Sequence, residues 1–174
     1  MRKENLRVIP KKNYATLLII FVVTIAMVVF AFVLYKQNRS YLNNIPVIRG
    51  TLAEIKETDL NNCFIENDSF LLYIGVANDD NSRELEKDLI DTLTRRNLLN
   101  TVYLNLTDVT NKGEFYNIFN SNYANNIKLN SYPAFLIIND RKVVDLVQRE
   151  KGTLKIDDIE KLLDEYEIKG DNNG

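Results

Sequence analysis

The densest set of groups able to do chemistry is Asn78-Asp79-Asp80-Asn81-Ser82-Arg83-Glu84, placed between an apolar run and a stretch with helical spacing. Its carboxylates and amides could hold a cation or cap a helix. A calcium loop would alternate its oxygen ligands, bend at a central glycine and end on a glutamate, and that pattern is missing here. Capping asks for less: Asn81 with Glu84 three residues on comes close to a capping box, and Asp79 could cap alone. The chain has one cysteine, Cys63, and no histidine. Lack of histidine removes Ser-His and Cys-His catalysis. A single thiol can neither close an internal disulfide nor build a thiolate zinc site. No catalytic residue, metal site or cofactor is expected. Cys63 itself reads as a small buried hydrophobe beside Phe64, or as an exported thiol that links two copies or a partner.

The loop is positioned by its neighbours. Phe70 to Val76 is an unbroken apolar run that suits a strand buried on both faces. After the loop, Leu85, Leu89, Ile90 and Leu93 share one face of a helix that runs to about Arg96. Upstream, Thr51 to Ile55 reads as a short edge strand, and Thr58-Asp59 opens a helix with Leu60, Phe64 and Ile65 on its apolar face. Downstream, Thr101 to Leu106 reads as a strand, and a short helix follows with Phe115, Ile118 and Phe119 on one face. Pro133 then opens the apolar strand Ala134 to Ile138, Asn139-Asp140 turns the chain, and Lys142 to Val147 pairs back as a hairpin. Ile156, Ile159, Leu162, Leu163 and Tyr166 mark a final amphipathic helix. The order is β-α-β-α-β-α-β-β-α, an α/β arrangement with the last helix covering one sheet face.

That order, with a proline opening the strand before the hairpin, resembles the thioredoxin fold. The nearest likeness is to membrane-anchored bacterial thioredoxin-like proteins of the bacteriocin-transport accessory kind, whose strand ends Tyr-Ile-Gly before a Cys-x-x-Cys-Arg motif. Here Tyr73-Ile74-Gly75 leads into Asp79-Asp80-Asn81-Ser82-Arg83. The resemblance puts Asp79 at the first cysteine, Ser82 at the second, and Tyr132-Pro133 at the cis-proline position. It implies a thioredoxin-like sandwich, a central mixed sheet with helices on both faces, preceded by one transmembrane helix. It also implies that the redox pair has been replaced, because thiol exchange runs through a mixed disulfide that neither a carboxylate nor a hydroxyl can form. Asp79, Ser82, Tyr132 and Pro133 then remain as a surface for a protein or peptide partner.

Ala15 to Leu34 is apolar and uncharged, interrupted only by Thr16 and Thr24, and bracketed by Tyr14 and Tyr35. About 20 helical residues span a bilayer core. The bulky Val33-Leu34-Tyr35 is a poor signal-peptide cleavage site, which favours an uncleaved anchor. The expected organisation is a cytoplasmic tail 1–14, an anchor 15–35, a stalk 36–50, a thioredoxin-like domain 51–168 and a polar tail 169–174. Five basic residues and one acidic residue in the tail give +4, so the net charge of −2 leaves −6 for the remainder. The positive-inside rule keeps the tail in the cytoplasm and exports the domain through the cell membrane. The acidic balance of that domain argues against nucleic acid. The expected function is a tethered, non-catalytic accessory or scaffold in an envelope or export assembly. The alternatives are redox chemistry through Cys63 with a partner thiol, or a membrane helix that is itself the active part.

Overall fold

The computed structural model describes residues 11–170. The tail residues Arg2, Lys3 and Arg7 and the end 171–174 lie outside the described residues. The chain forms two compact units that meet between Leu42 and Asn43.

The first unit is formed by α1, Lys11–Asn43, 33 residues long, whose last residue already counts with the second. Among the described residues it is the one helix long and apolar enough to cross a membrane. Thr24 Oγ1 donates to the Ile20 carbonyl at 2.8 Å, so the hydroxyl in mid-helix is satisfied within its own turn. The helix runs eight residues beyond Tyr35, through part of the expected stalk. No proline or glycine interrupts Lys36 to Asn43, and the helix stops three residues before Pro46, which could not continue it.

The second unit is built on a five-stranded sheet, ordered β1-β3-β2-β4-β5. β1 is Ala53–Ile55, β2 Phe70–Gly75, β3 Val102–Asn105, β4 Ala134–Asn139 and β5 Lys142–Gln148. β1, β3 and β2 run parallel, while β4 and β5 are antiparallel to their neighbours. After β1 comes a 3-10 turn, Glu57–Asp59, and then α2, Leu60–Glu66. α3 is Asp80–Arg95, α4 Lys112–Tyr123 and α5 Ile156–Glu165.

The unbroken apolar run of β2 is explained by burial on both faces. Leu71 and Tyr73 join a core with Leu85, Leu89 and Leu93 of α3 and Ile159, Leu162 and Leu163 of α5. Leu72 and Ile74 point the other way, toward Phe64 of α2 and Phe115 and Phe119 of α4. Helices therefore cover both faces, as the resemblance to the thioredoxin fold implies. Three residues assigned to apolar faces do not belong there: Ile65, Ile118 and Tyr166 are exposed. α2 and α4 are short and touch the sheet along narrow stripes that Phe64, Phe115 and Phe119 fill. Tyr166 lies just past α5, where its hydroxyl donates to Asp145 Oδ2 at 3.1 Å.

Residues 45–52 are not a free stalk. Ile48 and Leu52 are buried in the α3-side core and Pro46 is buried beside them. The segment turns on bonds from the Arg49 amide to the Pro46 carbonyl (3.3 Å) and from the Thr51 amide to the Ile48 carbonyl (3.1 Å). Gly50 supplies the positive φ of 82° this turn needs.

Candidate functional site

β2 ends at Gly75 and α3 begins at Asp80, leaving a short loop at the C-terminal end of the parallel strands. Asp79 caps α3: its backbone is extended, and its Oδ2 accepts from the Ser82 amide at 2.8 Å and from the Ser82 hydroxyl at 3.0 Å. Of the two capping arrangements the sequence allows, the structure has Asp79, with Asn81 inside the first turn. The Ser82 hydroxyl also accepts from the Val76 amide at 3.4 Å. The oxygen pair is thus closed on itself and on the loop backbone. The loop is also tied sideways, the Ala77 amide donating to Thr107 Oγ1 at 2.8 Å.

The Tyr132–Pro133 peptide bond is cis. Arg149 brings this bond and the loop together: its amide donates to the Pro133 carbonyl at 3.1 Å, and its guanidinium lies 3.6 Å from Asp79 Oδ1. The Ser131 hydroxyl donates to the Arg149 carbonyl. Tyr132 is half-buried, with Lys112 Nζ 5.8 Å from its ring centroid. Tyr116 is beside it, and burial, reinforced by Tyr132, pushes the Tyr116 phenol up to about 12.

The four candidate residues have unequal access. Ser82 and Pro133 are buried, so neither can be touched directly from outside. Their place in a contact surface is supporting: Ser82 holds Asp79, and Pro133 shapes the chain under Tyr132 and Arg149. Asn78 is exposed, and Asp79, Tyr132 and Arg149 are partly so. Arg149 goes unnoticed in a sequence reading for a specific reason. A two-residue turn pairs Asn139 with Lys142, and regular counting from it puts Gln148 opposite Pro133. A β-bulge between Ile137 and Ile138 shifts the register so that Gln148 pairs with Ala134 and Arg149 reaches Pro133.

Beneath the loop lies a carboxylate that the sequence does not single out. Glu86 of α3 is fully buried. Its Oε2 accepts from the amides of Val47 (2.7 Å) and Ile48 (3.2 Å), and its Oε1 from the Tyr73 hydroxyl (3.3 Å). Burial raises the Glu86 pKa above the ordinary value, against the pull of those donors and of Arg83. Tyr73 stacks on Tyr103 with ring centroids 5.4 Å apart. Gly75 makes room for it, since a Cβ there would lie 2.8 Å from the Tyr73 hydroxyl oxygen. Gly75→Ala should therefore cost about 1–3 kcal/mol through overpacking, read as a shift of the denaturation midpoint.

Cys63 is buried in α2. Burial, helped by the Glu66 carboxylate, raises its pKa, which keeps it protonated and a poor nucleophile.

No family model matches the sequence, and no curated protein matches it. Among solved structures, thioredoxin f2 of Chlamydomonas reinhardtii superposes with a TM-score of 0.50 at 11% identity, covering 66% of this chain and 95% of that one. A complex of ferredoxin:thioredoxin reductase with thioredoxin f2 gives a TM-score of 0.51 at 14% identity, over 68% of this chain and 97% of that one. At such identities the likeness speaks for architecture alone: the part of this chain that follows α1 has a thioredoxin-like fold.

Proposed function

We propose that this protein is a membrane-tethered, non-catalytic thioredoxin-like domain that binds a protein or peptide partner over Asp79, Tyr132 and Arg149. It would serve as an accessory or scaffold in an envelope or export assembly, akin to the bacteriocin-transport accessory proteins it resembles. The observation that carries this reading is the closed oxygen pair: Asp79 and Ser82 satisfy each other where the resemblance expects sulfurs, while Tyr132 and Arg149 stay accessible beside them. With the basic tail in the cytoplasm, α1 would be a single-pass anchor in the cell membrane, with the domain on the extracytoplasmic side.

The reading is tested by a photo-crosslinking residue placed at Asn78 of the full chain in its native membrane. A partner captured there should be lost when Asp79, Tyr132 and Arg149 are all changed to alanine. It should be absent when the crosslinker sits at Ile118 on α4. A capture pattern unchanged by the triple variant, with its far-ultraviolet circular dichroism intact, removes the reading.

A further inference from the structure

Two side chains of α3 grip the end of α1 and the residues after it, with opposite polarity. The Arg83 guanidinium donates to the carbonyls of Ile45 (2.8 Å) and Asn43 (3.4 Å), and Glu86 accepts from the amides of Val47 and Ile48. Pro46, Ile48 and Leu52 are buried beneath these bonds. The chain between the apolar helix and the first strand is thus held by a hydrogen-bond donor and an acceptor one turn apart.

We propose that Asn43–Leu52 is a proton-sensitive strap, gripped harder when Glu86 is neutral and loosened when Glu86 ionises. The strap closes over Glu86, so lifting it returns the carboxylate to water. An ionised carboxylate gains more from that hydration than a neutral one. The neighbours do not cancel this difference. Arg83, on the same helix, favours the ionised form but is itself shared among Asn43, Ile45 and the loop carbonyl of Ala77 at 3.0 Å. From β2 and β3 the facing groups are the neutral phenols of Tyr73 and Tyr103, and the buried Tyr103 hydroxyl has no hydrogen-bond partner among the described residues. From the strap the groups bonded to Glu86 are the Val47 and Ile48 amides, and its one charged residue, Arg49, is exposed. The charged α5 residues that meet α3, Glu160 and Asp164, engage Arg95 and Arg96 further along the helix. The raised pKa of Glu86 agrees with this direction. A loosened strap adds ten residues of tether, about 33 Å at an extended 3.3 Å each.

Hydrogen exchange on the full chain in lipid nanodiscs, corrected for intrinsic rates, tests the idea. From pH 5 to 8 the protection of the Val47 and Ile48 amides should fall, by up to about tenfold per pH unit within the window where Glu86 titrates. Leu72 and Leu136 in the central strands should keep their protection. In Glu86→Gln the strap amides should lose their pH dependence. Flat or rising protection at Val47 and Ile48 in the unaltered protein overturns the proposal without recourse to a variant. An equal fall in the central strands overturns it too, as does the same fall in Glu86→Gln.

Discussion

Replacing Glu86 with alanine should destabilise the folded domain by about 2–6 kcal/mol, because the Val47 and Ile48 amides lose their acceptor at about 1–3 kcal/mol for each orphaned group. The Tyr73 hydroxyl loses its acceptor as well. Alanine removes the strap's acceptor while leaving Arg83 in place, so the damage should concentrate in residues 45–52. Glu86→Gln is the informative companion: its amide oxygen can still accept, and no charge is buried. It should cost far less than alanine, and its denaturation midpoint should respond less to pH. In the unaltered protein the Glu86 pKa is higher folded than unfolded, so the folded state holds the extra proton. Its contribution is complete at pH values below the ordinary glutamate range and is lost as pH rises through the folded value. The difference in stability between the unaltered protein and Glu86→Gln should therefore shift toward glutamine as pH rises from about 4.5, then level off. Chemical denaturation at several pH values measures it. Equal losses for alanine and glutamine would mean that the carboxyl group with its two accepting oxygens, and neither packing nor a single acceptor, makes Glu86 matter.

The parts of this fold that are legible in the sequence are those where one physical signal dominates. Phe70 to Val76 reads as a doubly buried strand because no polar residue interrupts it, and the strand runs Phe70–Gly75. The hairpin reads from Asn139-Asp140, one residue ahead of the actual turn: Asn139 still pairs with Lys142, and the turn residues Asp140 and Arg141 have φ of 50° and 59°. Register is another matter. The bulge falls on β5, where Val144 is the extra residue between Val143, opposite Ile138, and Asp145, opposite Ile137; β4 shows no break, since both its faces are buried, yet the bulge decides that Arg149 meets Pro133. Glu86 is hidden by the same kind of ambiguity. It lies between Leu85 and Leu89 at the margin of the apolar stripe, where a charge normally reaches water. Only a covering segment makes it internal, and the clue to that segment was Ile45-Pro46-Val47-Ile48, an apolar run inside what reads as polar stalk. Ile118 errs in the opposite direction: its spacing fits a buried face, but α4 meets the sheet through Phe115 and Phe119 and leaves it outside. The capping residue was legible as a choice between two, and geometry decides for Asp79 because its side chain reaches the Ser82 amide.

Changing Asp79 and Ser82 together to cysteine should turn the loop into a working dithiol. The two oxygens already lie 3.0 Å apart across the first turn of α3. Access is graded in the useful sense: the Asp79 side chain is 19% exposed and Ser82 is buried, so an outer thiol could attack while an inner one waits to resolve. The helix N-terminus and the Arg149 guanidinium both favour a thiolate at position 79. Lowering that thiol from about 8.5 to about 7 would raise its thiolate fraction roughly 15-fold at pH 7. In the exchange, the outer thiolate attacks a substrate disulfide and expels one thiol. The inner thiol then displaces the second, leaving an internal disulfide that dithiothreitol reduces again. The double variant should therefore speed insulin reduction by dithiothreitol, whereas the unaltered protein should run at the uncatalysed rate. Asp79→Cys alone should stop at the mixed disulfide, and Ser82→Cys alone should do nothing. Loss of the aspartate cap costs only about 0.5–2 kcal/mol, so the variant should remain folded. If its two thiols refuse to join under oxidised glutathione, positions 79 and 82 do not occupy the redox positions of this fold, and the partner surface drawn around them loses its centre.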